Sequence, residues 1–209
     1  NDDDDKWDDD QDWSFNTRRF SRGNQHGMLC INHEFGRNTH VLGKPAPENL
    51  EDVRLSQAAH GCSSVRVAKD SNGVWDIDKS DTRNRRITVN TPVVFDGPVA
   101  GTEFLENAAG NMPLGTVNNC GNGYTPWGTY LTCEENFNLY FGWNDPNYVP
   151  TEKQQRYGFR EDSGGYNWHE FDPRFDLSNP EFANEHHRFG YIVEIDPYTG
   201  ERAVKRTAL

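Results

Sequence analysis

Short runs of alternating apolar residues, separated by turns of Asn, Gly, Pro and Asp, are the feature that most limits how this chain can fold. Such alternation is typical of a β-strand with one buried face. Two of these runs, 64–69 and 74–78, flank Ser71-Asn72-Gly73, and an Asn-Gly turn between alternating runs is a strong hairpin signal. Further strands are predicted at residues 27–32, 86–89, 128–133, 191–196 and 202–206.

Helical periodicity is almost absent, and the two best candidates are short segments at 103–108 and 152–156. Residues 141–185 have the composition of a nearly continuous loop. Loops of that length are uncommon in compact domains unless they carry function or wrap a neighbour. The sequence therefore predicts an all-β fold with long inserted loops, and a sandwich, a barrel and a propeller all fit this pattern.

Aromatic content and charge exclude several classes of protein. The chain has 6 Trp, 8 Tyr and 12 Phe among 209 residues, which argues against wholesale disorder. No run approaches the ~20 apolar residues of a membrane-spanning helix. The net charge is −12, whereas a protein that binds the phosphate backbone of nucleic acid presents a basic face. The sequence thus predicts no transmembrane segment and no nucleic-acid partner.

Much of the negative charge lies in an acidic tract at the front of the chain. Residues 1–13 contain eight Asp and one Lys. A solvated tail is the simplest interpretation, and weak calcium binding is the alternative, because clustered carboxylates suit a hard cation. Residues 2–6 also spell an enterokinase recognition string, so an engineered origin stays open.

The four cysteines lack the paired spacing of a zinc knuckle. Cys30 stands in an apolar run and Cys133 follows Leu131 in a predicted strand, which favours burial of both as small hydrophobic residues. Cys120 differs, because Asn and Gly surround it and predict a loop. Four cysteines allow three disulfide connectivities, and the spacing does not choose among them.

Three polar residues, Asn32, His33 and Glu34, end the predicted strand at 27–32. Such residues are well placed to line a pocket. Glu34 is a candidate metal ligand, and His33 is a candidate ligand or orienting partner. The alternative is a strand that simply ends in a polar turn.

A second group of candidate ligands lies at residues 118–136. Here the Cys120 thiol precedes a Pro-Trp-Gly corner and a strand, and Glu134 and Glu135 end that strand. A soft thiolate beside hard carboxylates suggests two kinds of metal or an iron with mixed ligands. A nucleophilic Cys120 is the alternative, although no His lies nearby in sequence to activate it.

The remaining polar motifs give weaker signals. The turn at 96–101 lacks the Lys and Ser/Thr of a phosphate-binding loop, so a nucleotide site is not predicted. His and carboxylate residues adjoin at 168–172 and 185–190. Without an HExxH spacing, surface polar contacts are the favoured interpretation there.

Residues 118–136, NNCGNGYTPWGTYLTCEEN, resemble the signature of the PhoX-type alkaline phosphatases. Other segments are similar to the same family in the same order: 27–35 (GMLCINHEF), 59–61 (AHG), 84–88 (NRRIT) with 91–92 (TP), 97–101, 188–197 (RFGYIVEIDP) and 204–209 (VKRTAL).

This resemblance implies a wide β-propeller with long inserted loops. The chain would then comprise an acidic N-terminal tract at 1–19 and a partial propeller domain at 20–209. Family members are exported, to the periplasm or beyond, and hydrolyse phosphate monoesters at a centre that holds iron and calcium. The implied metal residues are Glu34, Cys120 and Glu135, with Glu134 beside the last. The predicted supporting or pocket residues are Asn32, His33, Asn119 and Trp127.

Two functional hypotheses follow. In the first, the chain is part of an exported metal-dependent phosphatase, with a phosphate monoester as substrate and with other segments or neighbouring subunits as partners. In the second, it is a non-catalytic, calcium-stabilised extracellular surface, matrix or assembly protein. Family chains carry further ligands beyond the VKRTAL segment, which favours the second hypothesis for these residues alone. The motif at 118–136 favours the first for a longer protein.

Overall fold

The computed structural model describes residues 13–16, 25–110 and 112–208, and within 13–16 it describes only a strand. Most of the predicted acidic tract at 1–19, with its suggested calcium binding, therefore lies outside the described residues.

The first sheet is antiparallel and has five strands in the order β1-β2-β3-β4, with β5 also paired to β3. Its strands are β1 (Trp13–Asn16), β2 (His26–His33), β3 (Gly61–Lys69), β4 (Trp75–Ile77) and β5 (Arg85–Ile87). The hairpin predicted around Asn72-Gly73 is confirmed, because Val67 and Lys69 lie opposite Ile77 and Trp75. Gly73 has φ +80°, a left-handed conformation that glycine adopts without steric cost.

The second sheet has the order β6-β10-β9-β8-β7, with β6 parallel to β10 and the other pairs antiparallel. Its strands are β6 (Val94–Asp96), β7 (Asn119–Tyr124), β8 (Tyr130–Glu134), β9 (Ile192–Ile195) and β10 (Val204–Arg206). The strands predicted at 128–133, 191–196 and 202–206 are confirmed. The loop predicted around Cys120 is wrong, because this segment is β7. Its Asn and Gly residues have low strand propensity, and pairing with β8 overrides that preference.

The two sheets share a buried hydrophobic cluster. Cys30, Cys62 and Ile87 come from the first sheet, and Tyr130 and Val193 from the second. Burial of Cys30 is as predicted, whereas Cys133 is only partly buried, and none of the four cysteines forms a disulfide. The described residues are mostly β-sheet with few helices and do not form a closed barrel, which confirms the predicted fold class in its coarse form.

Among the described residues, three α-helices accompany the sheets: α1 (Asn38–Val41), α2 (Leu50–Ala58) and α3 (Glu152–Arg156). The prediction at 152–156 is confirmed, and a capping box of Thr151 and Gln154 explains where α3 begins. The segment at 103–108 forms only a short 3-10 turn, Glu103–Leu105. Within the described ranges, no helix has the length and apolar character needed to cross a bilayer.

The long segment at 141–185 is not simply loop, because its aromatic residues form the larger core. Short 3-10 turns alternate with extended chain there. Phe141, Phe159, Trp168 and Phe175 are buried together, and the Trp168 indole donates a hydrogen bond of 3.0 Å to the Ser56 hydroxyl on α2. Composition predicts loop because Gly, Pro and Asn break regular structure, yet the aromatic residues between them pack as a core.

Most His and carboxylate residues of the motifs at 168–172 and 185–190 are buried, so the prediction of surface contacts is wrong for them, whereas Glu170 is exposed. Glu185 is only 1% exposed and His169 6%. Glu185 accepts from the Arg174 guanidinium at 2.8 Å and from that of Arg188 at 3.0 Å. Two opposite charges thus offset the cost of burying one carboxylate. Burial also lowers the pKa of His186 to about 3.

Candidate metal centre

Three side chains that the sequence singled out converge at one end of the sheets. Glu34 follows β2, Cys120 lies in β7 and Glu135 follows β8. A carboxylate oxygen of each Glu and the Cys120 Sγ all lie within 4.8 Å of one another. Among the described residues, this is the one group of three or more His, Cys, Asp or Glu side chains with that spacing.

A β-bulge in the β7–β8 hairpin positions Cys120. Asn119 pairs with Glu134 and Asn122 pairs with Thr132, so Cys120 and Gly121 together lie opposite the single residue Cys133. Such a bulge re-aims a side chain and is common beside functional sites. The Glu135 amide continues the pairing by donating to the Asn118 carbonyl at 3.1 Å.

Asn32 joins the first sheet to this hairpin. Its Nδ2 donates to the Cys120 carbonyl at 2.9 Å. Its Oδ1 accepts from the Tyr130 hydroxyl at 2.8 Å and from the Thr132 hydroxyl at 2.9 Å. Asn32 is fully buried and lies two residues before Glu34. Its side-chain amide therefore holds the end of β2, which carries Glu34, against the segment that carries Cys120.

We expect Asn32→Ala to lower the free energy of unfolding by roughly 3 kcal/mol, because each buried polar group left unpaired costs roughly 1–3 kcal/mol. Urea denaturation measures this loss. The matched control is Asn138→Ala, whose amide donates to the Gly158 carbonyl near the surface; it should change stability by less than about 1 kcal/mol. Equal effects of the two substitutions would contradict the role given to Asn32.

Glu134 lies apart from the three converging side chains. Its carboxylate forms an ion pair of 2.8 Å with Lys205, and both side chains are fully buried. It also accepts from the backbone amides of Gly190 and Tyr191 at 2.9 and 3.1 Å. Successive side chains of a strand point to opposite faces of the sheet, so the side chains of Glu134 and Glu135 lie on opposite faces.

His33 also lies apart from the group. Its Nε2 lies 2.8 Å from the Ser63 hydroxyl, and the Arg86 guanidinium donates to the same hydroxyl at 3.3 Å. Burial, together with the positive charge of Arg86, lowers the pKa of His33 to about 4. His33 is therefore neutral near pH 7 and contacts β3 rather than Cys120.

The two other predicted pocket residues differ in position. Asn119 adjoins Cys120 in the chain, and its buried amide donates to the Thr116 hydroxyl at 2.6 Å. Trp127 lies in the turn of the hairpin, at the end opposite Cys120. It is 62% exposed and donates to Glu194 at 2.9 Å, so the structure does not bring it to the candidate centre.

Two residues beside the centre, Asn118 and Tyr140, were not among the predicted site residues. Asn118 has φ +51°, and its Nδ2 donates to the Tyr140 hydroxyl at 2.9 Å and to the Glu34 carbonyl at 3.4 Å. Burial raises the pKa of Tyr140 well above its usual value, and the negative charge of Glu34 adds to that effect. The tolerance of Asn for left-handed backbone and the place of Asn118 at the start of the 118–136 motif are the sequence signals that point to this residue.

The donor set suits a cation with mixed ligands. Soft thiolate ligands select transition metals such as iron, whereas carboxylate oxygens suit calcium. Three protein ligands leave coordination positions open, as in catalytic metal sites. The residues that the structure brings together therefore fit the iron and calcium that the family resemblance implies.

Comparisons with known proteins identify the family of this chain. A family model described as "Alkaline phosphatase PhoX" matches residues 9–209. Among solved structures, the chain is similar to "Pseudomonas fluorescens PhoX in complex with vanadate, a transition state analogue", with 40% identity and a TM-score of 0.88. The similarity covers 96% of this chain and 35% of that chain, so this chain spans about a third of the length of that relative. No curated protein matches.

Proposed function

This chain belongs to the PhoX alkaline phosphatase family, and we propose on that basis that it forms part of a metal-dependent phosphomonoesterase that releases inorganic phosphate. The observation that carries the proposal is the convergence of Glu34, Cys120 and Glu135 within 4.8 Å. A thiolate beside paired carboxylates serves no evident packing purpose in a partly exposed position, whereas it suits a metal centre.

Each side chain of the group has a distinct part in the proposal. Cys120 would hold iron, because a thiolate is the soft ligand of the set, and Glu34 and Glu135 would hold iron or calcium through oxygen. When bound, the cations would neutralise phosphoryl oxygens and orient an oxygen nucleophile for in-line attack. Cys120 would thus act as a ligand and would not attack phosphorus.

The neighbouring residues would keep these ligands in place. Asn32 binds the Cys120 carbonyl and so restrains the position of the thiolate. In other metalloproteins, loss of a supporting hydrogen bond of this kind typically lowers metal affinity or activity by about 10- to 100-fold. Glu134 would act structurally, by binding Lys205.

We propose in addition that the two sheets are part of a wide β-propeller and that the protein acts after export, in the periplasm or outside the cell. Family membership supports both statements. The similar structure from Pseudomonas fluorescens is a longer chain, of which this chain covers 35%, so the complete centre is proposed to use residues beyond those described.

Metal removal tests the proposed function. We expect the purified protein to contain iron and calcium, to hydrolyse p-nitrophenyl phosphate, and to lose this turnover when a chelator removes the metals. Readdition of Ca²⁺ with iron should restore it, and Ca²⁺ should raise Tm, because a cation that binds only the folded state stabilises that state. Elemental analysis, a colorimetric assay and thermal unfolding measure these effects.

The opposite result would favour the non-catalytic alternative. A protein that contains calcium but no iron, and that does not turn over p-nitrophenyl phosphate, would be a calcium-stabilised structural relative. The intact mass of the protein isolated from its source should be measured as well, because it shows how long the tested chain is.

A further inference from the structure

Asn118 contacts both carboxylate residues of the candidate centre. Its carbonyl accepts from the Glu135 amide at 3.1 Å, and its Nδ2 donates to the Glu34 carbonyl at 3.4 Å. It also precedes Cys120 by two residues. Asn118 thus touches two of the three converging segments and adjoins the third.

The orientation of the Asn118 amide follows from its partners. The Glu34 carbonyl can only accept a hydrogen bond, so the atom facing it must be Nδ2. The second Nδ2 hydrogen is directed to the Tyr140 hydroxyl at 2.9 Å. Both donor positions are thereby used, and Oδ1 lies on the other side of the amide.

The Asn118 Oδ1 is buried and accepts no hydrogen bond from any described residue. The whole side chain is only 4% exposed. Buried acceptors are nearly always paired, and each exception calls for an explanation such as an ion. Amide oxygens are common ligands of Ca²⁺, and carboxylate ligands stand on both neighbouring segments here.

We propose that the Asn118 Oδ1 is an oxygen ligand of a hard cation, Ca²⁺, at the centre formed by Glu34, Cys120 and Glu135. This inference rests on the proposed function, because it requires a cation at that centre. The left-handed backbone of Asn118, with φ +51°, holds the amide between β7 and the end of β2.

Asn119 has a superficially similar amide, whose Oδ1 is also unpaired among the described residues. It lies directly before Cys120 in β7, where successive side chains point to opposite faces. Its Nδ2 donates to the Thr116 hydroxyl, whereas that of Asn118 donates to the Glu34 carbonyl. These differences favour Asn118 as the ligand.

Two substitutions at Asn118 separate a ligand from a residue that only positions its neighbours. Asn118→Gly removes the amide and tolerates the left-handed backbone. Asn118→Asp keeps an oxygen ligand but cannot donate to the Glu34 carbonyl. A third variant, Tyr140→Phe, removes one partner of Nδ2 and leaves Oδ1 in place. Calorimetric titration with Ca²⁺ gives the affinity of each variant, and thermal unfolding without metal shows that each is folded.

We expect Asn118→Gly to weaken Ca²⁺ binding by at least about 10-fold, because loss of a residue that merely supports a metal site already costs about 10- to 100-fold. Asn118→Asp should bind Ca²⁺ at least as tightly as the unsubstituted protein, and Tyr140→Phe should bind it nearly as tightly. Unchanged affinity in Asn118→Gly would overturn the inference, as would equal weakening in Asn118→Gly and Asn118→Asp. Absence of Ca²⁺ binding in the unsubstituted protein would instead overturn the proposed centre itself.

Discussion

Replacement of Cys120 by serine is expected to remove iron from the protein and to reduce phosphatase turnover by more than about 100-fold. Serine matches cysteine in shape but offers a neutral hydroxyl in place of a soft thiolate, which is the ligand that iron prefers here. Substitution of residues that merely support a metal ligand already costs roughly 10- to 100-fold, so loss of a ligand should cost more. Iron per chain and turnover of p-nitrophenyl phosphate are the two measurements.

Cys133→Ser is the matched control for this experiment. Like Cys120, Cys133 forms no disulfide and is partly exposed, and it lies opposite the bulge in the paired strand, but it does not belong to the converging group. We expect this variant to keep its iron and most of its turnover. Full iron content in Cys120→Ser would refute the assignment of Cys120 as a ligand, whatever its activity.

The candidate centre was predictable from side-chain chemistry because its residues are unusual in the sequence. A thiol between Asn and Gly residues, followed by two carboxylates at a strand end, is difficult to explain as packing. Side-chain chemistry alone could not choose between Glu134 and Glu135, however, and only the family resemblance favoured Glu135. The choice depends on which face of β8 turns toward Lys205, and Lys205 is brought there by the pairing of β10 with β9.

The fold was predictable where local pattern and tertiary structure agree. Alternation predicted β2, β8 and β9 because one face of each is buried. Helical periodicity did not predict α2. The buried residues of this helix include the polar Ser56 and Gln57 as well as Val53, so the helix shows little amphipathic pattern. The cap at Asn49, which accepts from the Asp52 amide, was the available signal.

Substitution of Lys205 by methionine is expected to produce the largest loss of stability, about 3–5 kcal/mol in the free energy of unfolding. The Lys205 ammonium lies 2.8 Å from Glu134 with both side chains fully buried. It also donates to the Arg188 carbonyl at 2.5 Å and lies 4.2 Å from the centre of the Phe189 ring. Burial lowers the pKa of Lys205, and the Glu134 carboxylate opposes that shift. Methionine would fill the space but would leave the Glu134 charge buried without a counter-charge.

The double variant Lys205→Met with Glu134→Gln distinguishes charge from packing. Glutamine keeps an oxygen that can accept from the Gly190 and Tyr191 amides, as Glu134 does, and it removes the unpaired charge. Replacement of both members of a buried ion pair by neutral groups is often nearly neutral, whereas removal of one member is costly. We therefore expect the double variant to regain most of the stability lost in Lys205→Met, as measured by urea denaturation with an unchanged m value. If both variants were equally destabilised, the loss would come from the packing of Lys205 against Phe189 and not from its charge.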